Sequence, residues 1–270
     1  MEFKGKIGAE RLKRFGRMFE NFVDETAVFV SDSGFKVLTV DSAHVAMAEV
    51  LLPRRAFQEF KLEGEGKLLF RWDKILDSNF GKNGSNVEIQ FKKDATVFSS
   101  EGNKFTIPND LVGVAEPKVP KLEPKEYVRC TVIAGEFLDA LRSANSIEGF
   151  VSLGGSENGV LLSTEKDDGE KKGKQSIRRV FGFEIEAVGK VRSLFSCDYL
   201  LGMFRALPHD SEVRMMLSTD YPLLMRFEDG MFLLAPRIES EDSPSETRKI
   251  IASDVPKASE RPVRAEEFFS

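Results

Sequence analysis

Residues 109–127, NDLVGVAEPKVPKLEPKEY, decide how this chain of 270 residues is organised. Three prolines, Pro117, Pro120 and Pro124, lie close together in this stretch. Each proline removes a backbone donor and favours extended geometry in the residue before it, so the stretch cannot form a helix. We therefore predict a stiff, largely extended connector between two folded units.

The composition is that of a globular protein with room for two cores. Hydrophobic residues make up 41% of the chain and charged residues 31%. No apolar run approaches the ~18 residues of a membrane span, and residues 1–15 lack the pattern of a secretion signal, so we expect an intracellular protein with no membrane contact. Cys130 and Cys197 lie in apolar or helical contexts without partner spacing, which favours buried thiols over a disulfide or a metal site.

The net charge of −5 is unevenly distributed. Residues 239–270 hold eight acidic and five basic side chains, so the rest of the chain is close to neutral. Any nucleic-acid binding must therefore come from a local basic patch. Residues 241–270 are polar and lack periodicity, which predicts a flexible tail.

Hydrophobic spacing predicts helices over residues 9–22, 72–80, 135–145 and 198–207, with strands between them. The order of elements before the connector returns after it, at an offset of about 126 residues, which indicates a duplicated domain. We predict an α+β fold of two similar domains, each with two helices packed on antiparallel sheet. The predicted limits are residues 1–108 and 128–240, joined by the connector 109–127 and followed by the tail 241–270.

Catalytic motifs are not evident in the sequence. His44 and His209 are the only histidines, and neither lies in a nucleophile or metal motif. We therefore expect a protein that is not an enzyme and needs no cofactor. The rival hypothesis, an unrelated enzyme on a duplicated α+β domain, would depend on His44 or Cys197.

Basic residues occur on every predicted helix. Surface helices commonly carry such residues, but four helices lining one surface would form a stripe that contacts phosphates without reading bases. The candidates for DNA binding are Lys13, Arg14, Arg17, Lys74, Arg142 and Arg205.

Three motifs resemble the proliferating cell nuclear antigen (PCNA) family of DNA sliding clamps, in particular its archaeal members. They are VDSAHVAM at residues 40–47, DYPL at 220–223 and LLAPRI at 233–238. The resemblance spans residues 1–238 and implies a ring-shaped trimer in which helices face a central hole that holds duplex DNA. Nuclear, cytoplasmic or nucleoid DNA would be the site of action, according to the source.

The resemblance also implies contacts with DNA. Five of the basic candidates match pore positions of the family, and Arg17 is added from its position on the first helix. Acidic residues, Glu20, Asp77 and Asp139, stand where the family often has further basic side chains. The lining of the hole would therefore carry less positive charge. Weak contact suits a closed ring, because such a ring stays on DNA without tight binding.

Ring closure in this family pairs an edge strand of one subunit with an edge strand of the next. Here the strands would be residues 104–109 and 175–181, and Lys104 would meet an acidic residue across the joint. A homotrimer is the simpler prediction, and a subunit that works only in a mixed ring is the alternative. The predicted interface residues are Lys104, Phe105, Thr106, Ile107, Ser176, Ile177, Arg178, Arg179 and Val180.

The resemblance further implies an apolar groove for double-aromatic peptides of DNA polymerase, flap endonuclease, ligase and the clamp loader. Ordinary core packing is the alternative for each apolar member. The chain's own last residues, RAEEFFS, resemble such a peptide, although Pro262 and Ala265 depart from its usual pattern. They either visit the groove or stay free. The predicted groove residues are Val40, His44, Val45, Met47, Val119, Leu122, Pro222, Leu234, Ala235, Pro236 and Ile238.

Overall fold

The computed structural model describes residues 1–237 apart from residues 21, 78, 93, 110–116 and 168–173. In these residues the α-helices are α1 (Ala9–Arg17), α2 (Trp72–Ile75), α3 (Ala134–Asn145) and α4 (Cys197–Arg205). The strands before the connector are β1 (Glu2–Gly8), β2 (Glu25–Ser31), β3 (Gly34–Val40), β4 (Ala46–Pro53), β5 (Phe57–Glu63), β6 (Gly66–Arg71), β7 (Asn86–Lys92), β8 (Ala95–Ser100) and β9 (Asn103–Pro108). Those after it are β10 (Tyr127–Ile133), β11 (Phe150–Ser156), β12 (Gly159–Asp167), β13 (Lys174–Phe181), β14 (Phe183–Val188), β15 (Val191–Ser196), β16 (Glu212–Leu217), β17 (Leu223–Phe227) and β18 (Gly230–Leu234).

The strands of the described residues form three antiparallel sheets. One has the order β5-β1-β7-β8-β9 and another the order β13-β12-β11-β15. The third runs β14-β10-β16-β17-β18-β4-β3-β2-β6 and therefore contains strands from both halves of the chain. Its two parts meet where β18 pairs with β4, so the halves share one continuous wall of backbone hydrogen bonds.

The two halves have the same topology. The orders β5-β1-β7-β8-β9 and β4-β3-β2-β6 of the first half reappear as β14-β10-β16-β17-β18 and β13-β12-β11-β15 in the second. Helix starts Ala9 and Ala134 are 125 positions apart, as are Trp72 and Cys197. The predicted α+β class with two similar helix-and-sheet units is confirmed.

Two predicted helices are longer in the sequence pattern than in the structure. The helix predicted over 9–22 ends at Arg17, and the chain continues in turns, with the Phe22 N–H bonded to the Phe19 carbonyl at 2.8 Å. These turns let Phe19 stack on Trp72 at 5.3 Å and Phe22 stack on Phe232 of the second half at 5.9 Å. Burial of both rings outweighs continuation of the helix.

The helix predicted over 72–80 is only the single turn of α2. Phe80 lies beyond it and is buried against Phe105 of β9, with ring centroids 4.6 Å apart. The apolar spacing therefore reflects core contacts made by a loop.

The connector begins at Asn109, whose side chain is tied to β6. Its Oδ1 accepts a hydrogen bond from the Leu69 N–H at 2.6 Å, and its Nδ2 donates to the Lys67 carbonyl at 3.0 Å. Residues 117–124 have no regular structure, and residues 110–116 lie outside the described part. Among the described helices, none is long and apolar enough to cross a membrane.

Candidate functional surfaces

A stripe of apolar side chains crosses the outer face of the nine-stranded sheet. The strand register places Met216, Leu224, Leu233, Met47 and Val40 side by side on β16, β17, β18, β4 and β3. Directly opposed residues point to the same face, so these five form one row. Leu224, Met47 and Val40 are half-buried, which leaves the stripe open to contact from outside.

The connector passes over one end of this stripe. Val119 and Leu122 line a cavity of about 630 Å³ together with Met216, Leu224 and Leu233 of the sheet. Val119 is 40% exposed, which is high for an apolar side chain beside a groove. The structure therefore brings the two predicted connector residues to the sheet face that carries Met47 and Val40.

The loop between β3 and β4 lies at the other end of the stripe. His44 is exposed and has a φ of 57°, and Val45 is 36% exposed. The Val45 carbonyl accepts a hydrogen bond from the Ala235 N–H at 2.8 Å, which joins this loop to the end of β18.

Other predicted groove residues differ in their exposure. Pro222, Ala235 and Pro236 are half-buried and remain accessible in part. Leu234 is 1% exposed, because alternation along β18 turns its side chain inward, so core packing is correct for this residue. Ile238 lies outside the described residues.

Asp41 fixes the shape of the loop. Its Oδ1 accepts hydrogen bonds from the N–H groups of Val45 and Ala46 at 2.8 and 2.7 Å. Its Oδ2 accepts from Ala43 N–H at 3.3 Å and from the hydroxyl of Tyr199, on α4 of the other half, at 2.6 Å.

These contacts set both ionisation states. Burial raises the pKa of Asp41, but the hydrogen bonds from Tyr199 and from the loop outweigh it, so the pKa lies below its ordinary value of 3.8. The bond to Asp41, with burial, raises the pKa of Tyr199 to about 12. A neutral phenol bound to a carboxylate therefore ties helix α4 to the groove loop.

The predicted DNA-binding residues lie on or at the ends of the helices. Arg14, Arg17, Lys74, Arg142 and Arg205 are exposed, and Lys13 is half-buried. Arg17 and Arg142 are 125 positions apart and thus occupy equivalent places in the two halves.

Acidic neighbours reduce the positive charge of this surface. Arg142 forms an ion pair with Asp139 at 3.0 Å, and Lys74 lies 3.8 Å from Asp73. The Lys13 ammonium donates to the Asp77 backbone carbonyl at 2.9 Å. Burial, with repulsion from Arg17, lowers the pKa of Lys13 despite the nearby Asp77 carboxylate.

Within the described chain, six strands end the three sheets and pair on one side only: β5, β9, β14, β6, β13 and β15. The two predicted interface strands are among them, since β9 pairs only with β8 and β13 only with β12. The turn from β8 to β9 has φ values of 46° at Glu101 and 83° at Gly102, as in a type I′ hairpin. Beyond it, the Asn109 N–H bonds the Asp94 carbonyl at 2.7 Å. This pattern directs the N–H groups of Lys104 and Thr106 away from β8.

The predicted interface residues divide between edge and core. Lys104, Thr106, Ser176, Arg178 and Arg179 are exposed, and Phe105, Ile177 and Val180 are half-buried. Ile107 is 3% exposed, so only its backbone is available to a neighbouring chain.

Neither cysteine is poised for catalysis. Burial raises the pKa of the Cys130 thiol to about 12, and burial with the nearby Asp198 and Glu148 does the same for Cys197. Among the described residues, no group of histidine, cysteine and carboxylate side chains could hold a metal ion.

Several members of the groove were not predicted from the sequence. Met216, Leu224 and Leu233 were not predicted, nor were the exposed Arg214 and Arg226 that line the same cavity. Alternation along β16 and β17 carries a signal for them, but only the pairing of β18 with β4 puts them in line with Met47 and Val40.

No family model matches the sequence. Among curated proteins, the DNA polymerase sliding clamp of Methanocella arvoryzae is 29% identical over 252 residues, covering 88% of this chain and all of the relative. That of Methanothrix thermoacetophila is 27% identical over 249 residues, covering 88% of this chain and 99% of the relative.

Solved structures share the fold. A PCNA of A. fulgidus, bound to the C-terminal region of FEN-1, matches with a TM-score of 0.78 and 25% identity over 89% of this chain and 100% of that one. The PCNA of Thermococcus kodakaraensis matches with a TM-score of 0.76 and 19% identity, over 87% of this chain and 100% of that one. This chain is therefore similar in sequence to archaeal DNA polymerase sliding clamps and similar in fold to solved PCNAs.

Proposed function

We propose that this chain forms a closed trimeric ring around duplex DNA and holds replication and repair enzymes there. The single observation that carries the proposal is the junction between the two halves. Strand β18 ends the five-strand group β14-β10-β16-β17-β18 of the second half. It pairs with β4, which begins the four-strand group β4-β3-β2-β6 of the first half. The equivalent strands, β9 and β13, occupy the same positions and have free edges.

The internal junction supplies the pattern for the junction between chains. If β9 of one chain pairs with β13 of the next as β18 pairs with β4, the sheets continue from chain to chain. Three copies then close a ring of six similar units, as the family resemblance implies. The domains would be residues 1–108 and 128–240, with 109–127 as the connector.

The same pattern gives a register for the joint. Lys104 is the second residue of β9, as Met231 is of β18. Arg178 lies opposite Ser163, and Glu49 lies opposite Leu38. Because positions 38 and 163 are 125 apart, they are equivalent in the two halves, so Arg178 of β13 corresponds to Glu49 of β4.

Since Met231 faces Glu49, Lys104 would face Arg178. The acid expected across from Lys104 is therefore not present on β13 between residues 175 and 181. Two positively charged side chains, Lys104 of one chain and Arg178 of the next, would face each other across the joint instead.

This opposition favours a weakly held homotrimer or, as the alternative, a mixed ring. Like charges directly opposite each other on paired strands are destabilising. A paralogous subunit with an acid at either position would pair more tightly with this chain than the chain pairs with itself.

The helices would face the hole, with Arg17 and Arg142 at equivalent places in the two halves. The ion pair of Arg142 with Asp139 is exposed, so it is weak and can open toward a phosphate. Sparse phosphate contacts of this kind would hold the ring on DNA without sequence preference and let it slide.

The groove would take peptides of DNA polymerase, flap endonuclease, ligase and clamp loader. Support comes from the open apolar stripe beneath the connector and from the A. fulgidus PCNA, which was solved with the C-terminal region of FEN-1. The role is that of a tether without catalytic activity of its own.

Variants in the connector test the proposed partner site. Val119→Ser with Leu122→Ser removes two apolar contacts worth about 1 kcal/mol each, so a flap endonuclease C-terminal peptide should bind about 30-fold more weakly. Lys118→Ser, on the same segment but outside the cavity lining, is the matched control. Unchanged affinity in the double variant would refute the groove, and loss of the oligomer would make the connector a structural element instead.

A further inference from the structure

We propose that residues 266–269 of this chain, Glu-Glu-Phe-Phe, bind in the cavity beneath the chain's own connector and compete there with partner peptides. This inference rests on the groove assigned under the proposed function. The added element is a segment of the chain itself, which would bind in the groove and regulate the access of partner peptides.

The first observation is an uncompensated pair of arginines. Arg214 of β16 and Arg226 of β17 are directly opposed in the register, and both are exposed on the wall of the cavity. Neither forms an ion pair within the part of the chain that the structure describes. Like charges opposite each other on paired strands are destabilising. An anionic ligand at this place would relieve the repulsion between the two arginines and form charge-assisted hydrogen bonds with them.

The remaining charges of the cavity give a net positive site. Its lining includes four basic side chains, the two arginines with Lys121 and Arg129, and two acidic ones, Glu184 and Glu186. Arg129 is paired with Glu186 at 3.0 Å, and Lys121 is paired with Glu123. Arg214 and Arg226 therefore remain for a ligand.

Apolar surface lies directly beside the arginines. Met216 and Leu224 are two residues along the strands from Arg214 and Arg226, on the same face, and Leu233 continues the row. A ligand that fits must combine carboxylates with large apolar groups a few ångströms away.

The sequence from 238 to 270 contains one segment of this chemistry. Phe268 and Phe269 are its only aromatic residues, and Glu266 and Glu267 come directly before them. The carboxylates therefore lie next to the aromatic rings in this segment, just as the arginines lie next to apolar side chains in the cavity.

The chain can bring this segment to the cavity. Ala235 is bonded to the groove loop at Val45, and Arg237 donates its N–H to the Leu194 carbonyl at 2.7 Å. The 28 residues between Arg237 and Glu266 can extend up to about 95 Å, which is longer than a single domain of this size.

Tethering makes even weak binding effective. A flexible tether gives an effective concentration on the order of 1 mM, so a segment with a Kd of about 100 µM as a free peptide would occupy its own cavity about nine-tenths of the time. Competing peptides would then bind about tenfold more weakly than to an unoccupied cavity.

The test uses the full chain and a labelled peptide of residues 258–270, ASERPVRAEEFFS, as the probe. We expect the peptide to bind the Phe268→Ser, Phe269→Ser chain about tenfold more tightly than the unaltered chain. In the doubly substituted background, Arg214→Gln should weaken binding at least fivefold, and Arg71→Gln, an exposed arginine outside the cavity lining, should leave it unchanged.

Equal affinity for the two chains would overturn the proposal, and so would no binding to either. If a flap endonuclease peptide binds both chains equally while the 258–270 peptide binds neither, the groove belongs to partner proteins alone. Retention of the ring on circular DNA does not involve these residues, so a failure of the clamp function would appear there and not in peptide binding.

Discussion

Replacing Lys104 by glutamate should strengthen the ring, although it alters an interface residue. In the register set by the β18–β4 junction, Lys104 of one chain faces Arg178 of the next. The neighbours of these residues across the flanking strands, Ser99 and Ser163, are neutral. Lys104→Glu would convert a like-charge pair into an opposite-charge pair.

The magnitude follows from the cross-strand geometry. Exchanging repulsion for attraction between directly opposed residues is worth about 1 kcal/mol per interface, or about 3 kcal/mol for three interfaces. The trimer dissociation constant should therefore fall about 150-fold. Because both side chains are exposed, the gain should shrink at about 1 M salt, where the Debye length is about 3 Å.

Sedimentation over a range of protein concentrations measures this constant, as the change from a 30.3 kDa chain to its trimer. Arg178→Glu alone should strengthen the ring in the same way, whereas Lys104→Glu with Arg178→Glu should restore repulsion and weaken it again. If Lys104→Glu leaves assembly unchanged or weakens it, or if the two substitutions are additive, the register and the pairing of β9 with β13 are wrong.

Further substitutions test the edge, the helices and the loop. Thr106→Pro removes an outward backbone N–H without touching the β8 pairing, so sedimentation should show at least fivefold weaker assembly, whereas Thr106→Ala should assemble normally. Asp139→Asn should raise the affinity for linear duplex DNA, and Arg142→Gln should lower it. In Arg142→Gln the slope of log affinity against log salt should be smaller by about 0.9 for each phosphate that is no longer neutralised. An unchanged slope in both variants would place α3 away from DNA. Tyr199→Phe should lower the free energy of unfolding at pH 7 by about 2 kcal/mol. Since the folded pKa of Asp41 is depressed, that difference is present above pH 3.8 and is lost as the pH falls through the folded value; acid denaturation curves that stay parallel would contradict it.

Residues 109–127 could be predicted to form a connector because proline acts locally, and the duplication could be predicted because the order of elements repeats. Apolar periodicity placed α3 and α4 to within a residue or two, since their buried faces follow helical spacing from end to end. The same periodicity extended α1 beyond Arg17, because Phe19 and Phe22 reach the core from turns. Local spacing does not distinguish the two cases.

Strands with charged outer faces were the hardest elements to predict. In β1, Phe3 and Ile7 are buried while Lys4 projects outward and Lys6 is half-buried, and this strand was not predicted from the sequence. In β14, Glu184 and Glu186 are exposed and no residue is fully buried, so the strand adds little apolar surface to the core. Such strands form because the neighbouring strands supply their hydrogen-bond partners.

The candidate surfaces were only partly accessible from sequence. The family resemblance pointed to His44, Val45 and the connector, and the structure places these beside one sheet face. Leu234 was assigned to the groove, but it faces the core, and Leu233 faces the groove in its place. Which of two adjacent leucines points outward depends on the pairing of β18 with β4, which joins distant parts of the chain.

Retention on DNA after loading tests most directly whether the chain is a closed ring around the duplex. The labelled chain is loaded onto nicked circular DNA, the complex is separated from free protein in high salt, and the DNA is then cut once. The ring predicts retention on the circle, rapid loss on linearisation, and renewed retention when both ends are blocked by bound protein. Equal retention on circular and open linear DNA would contradict it.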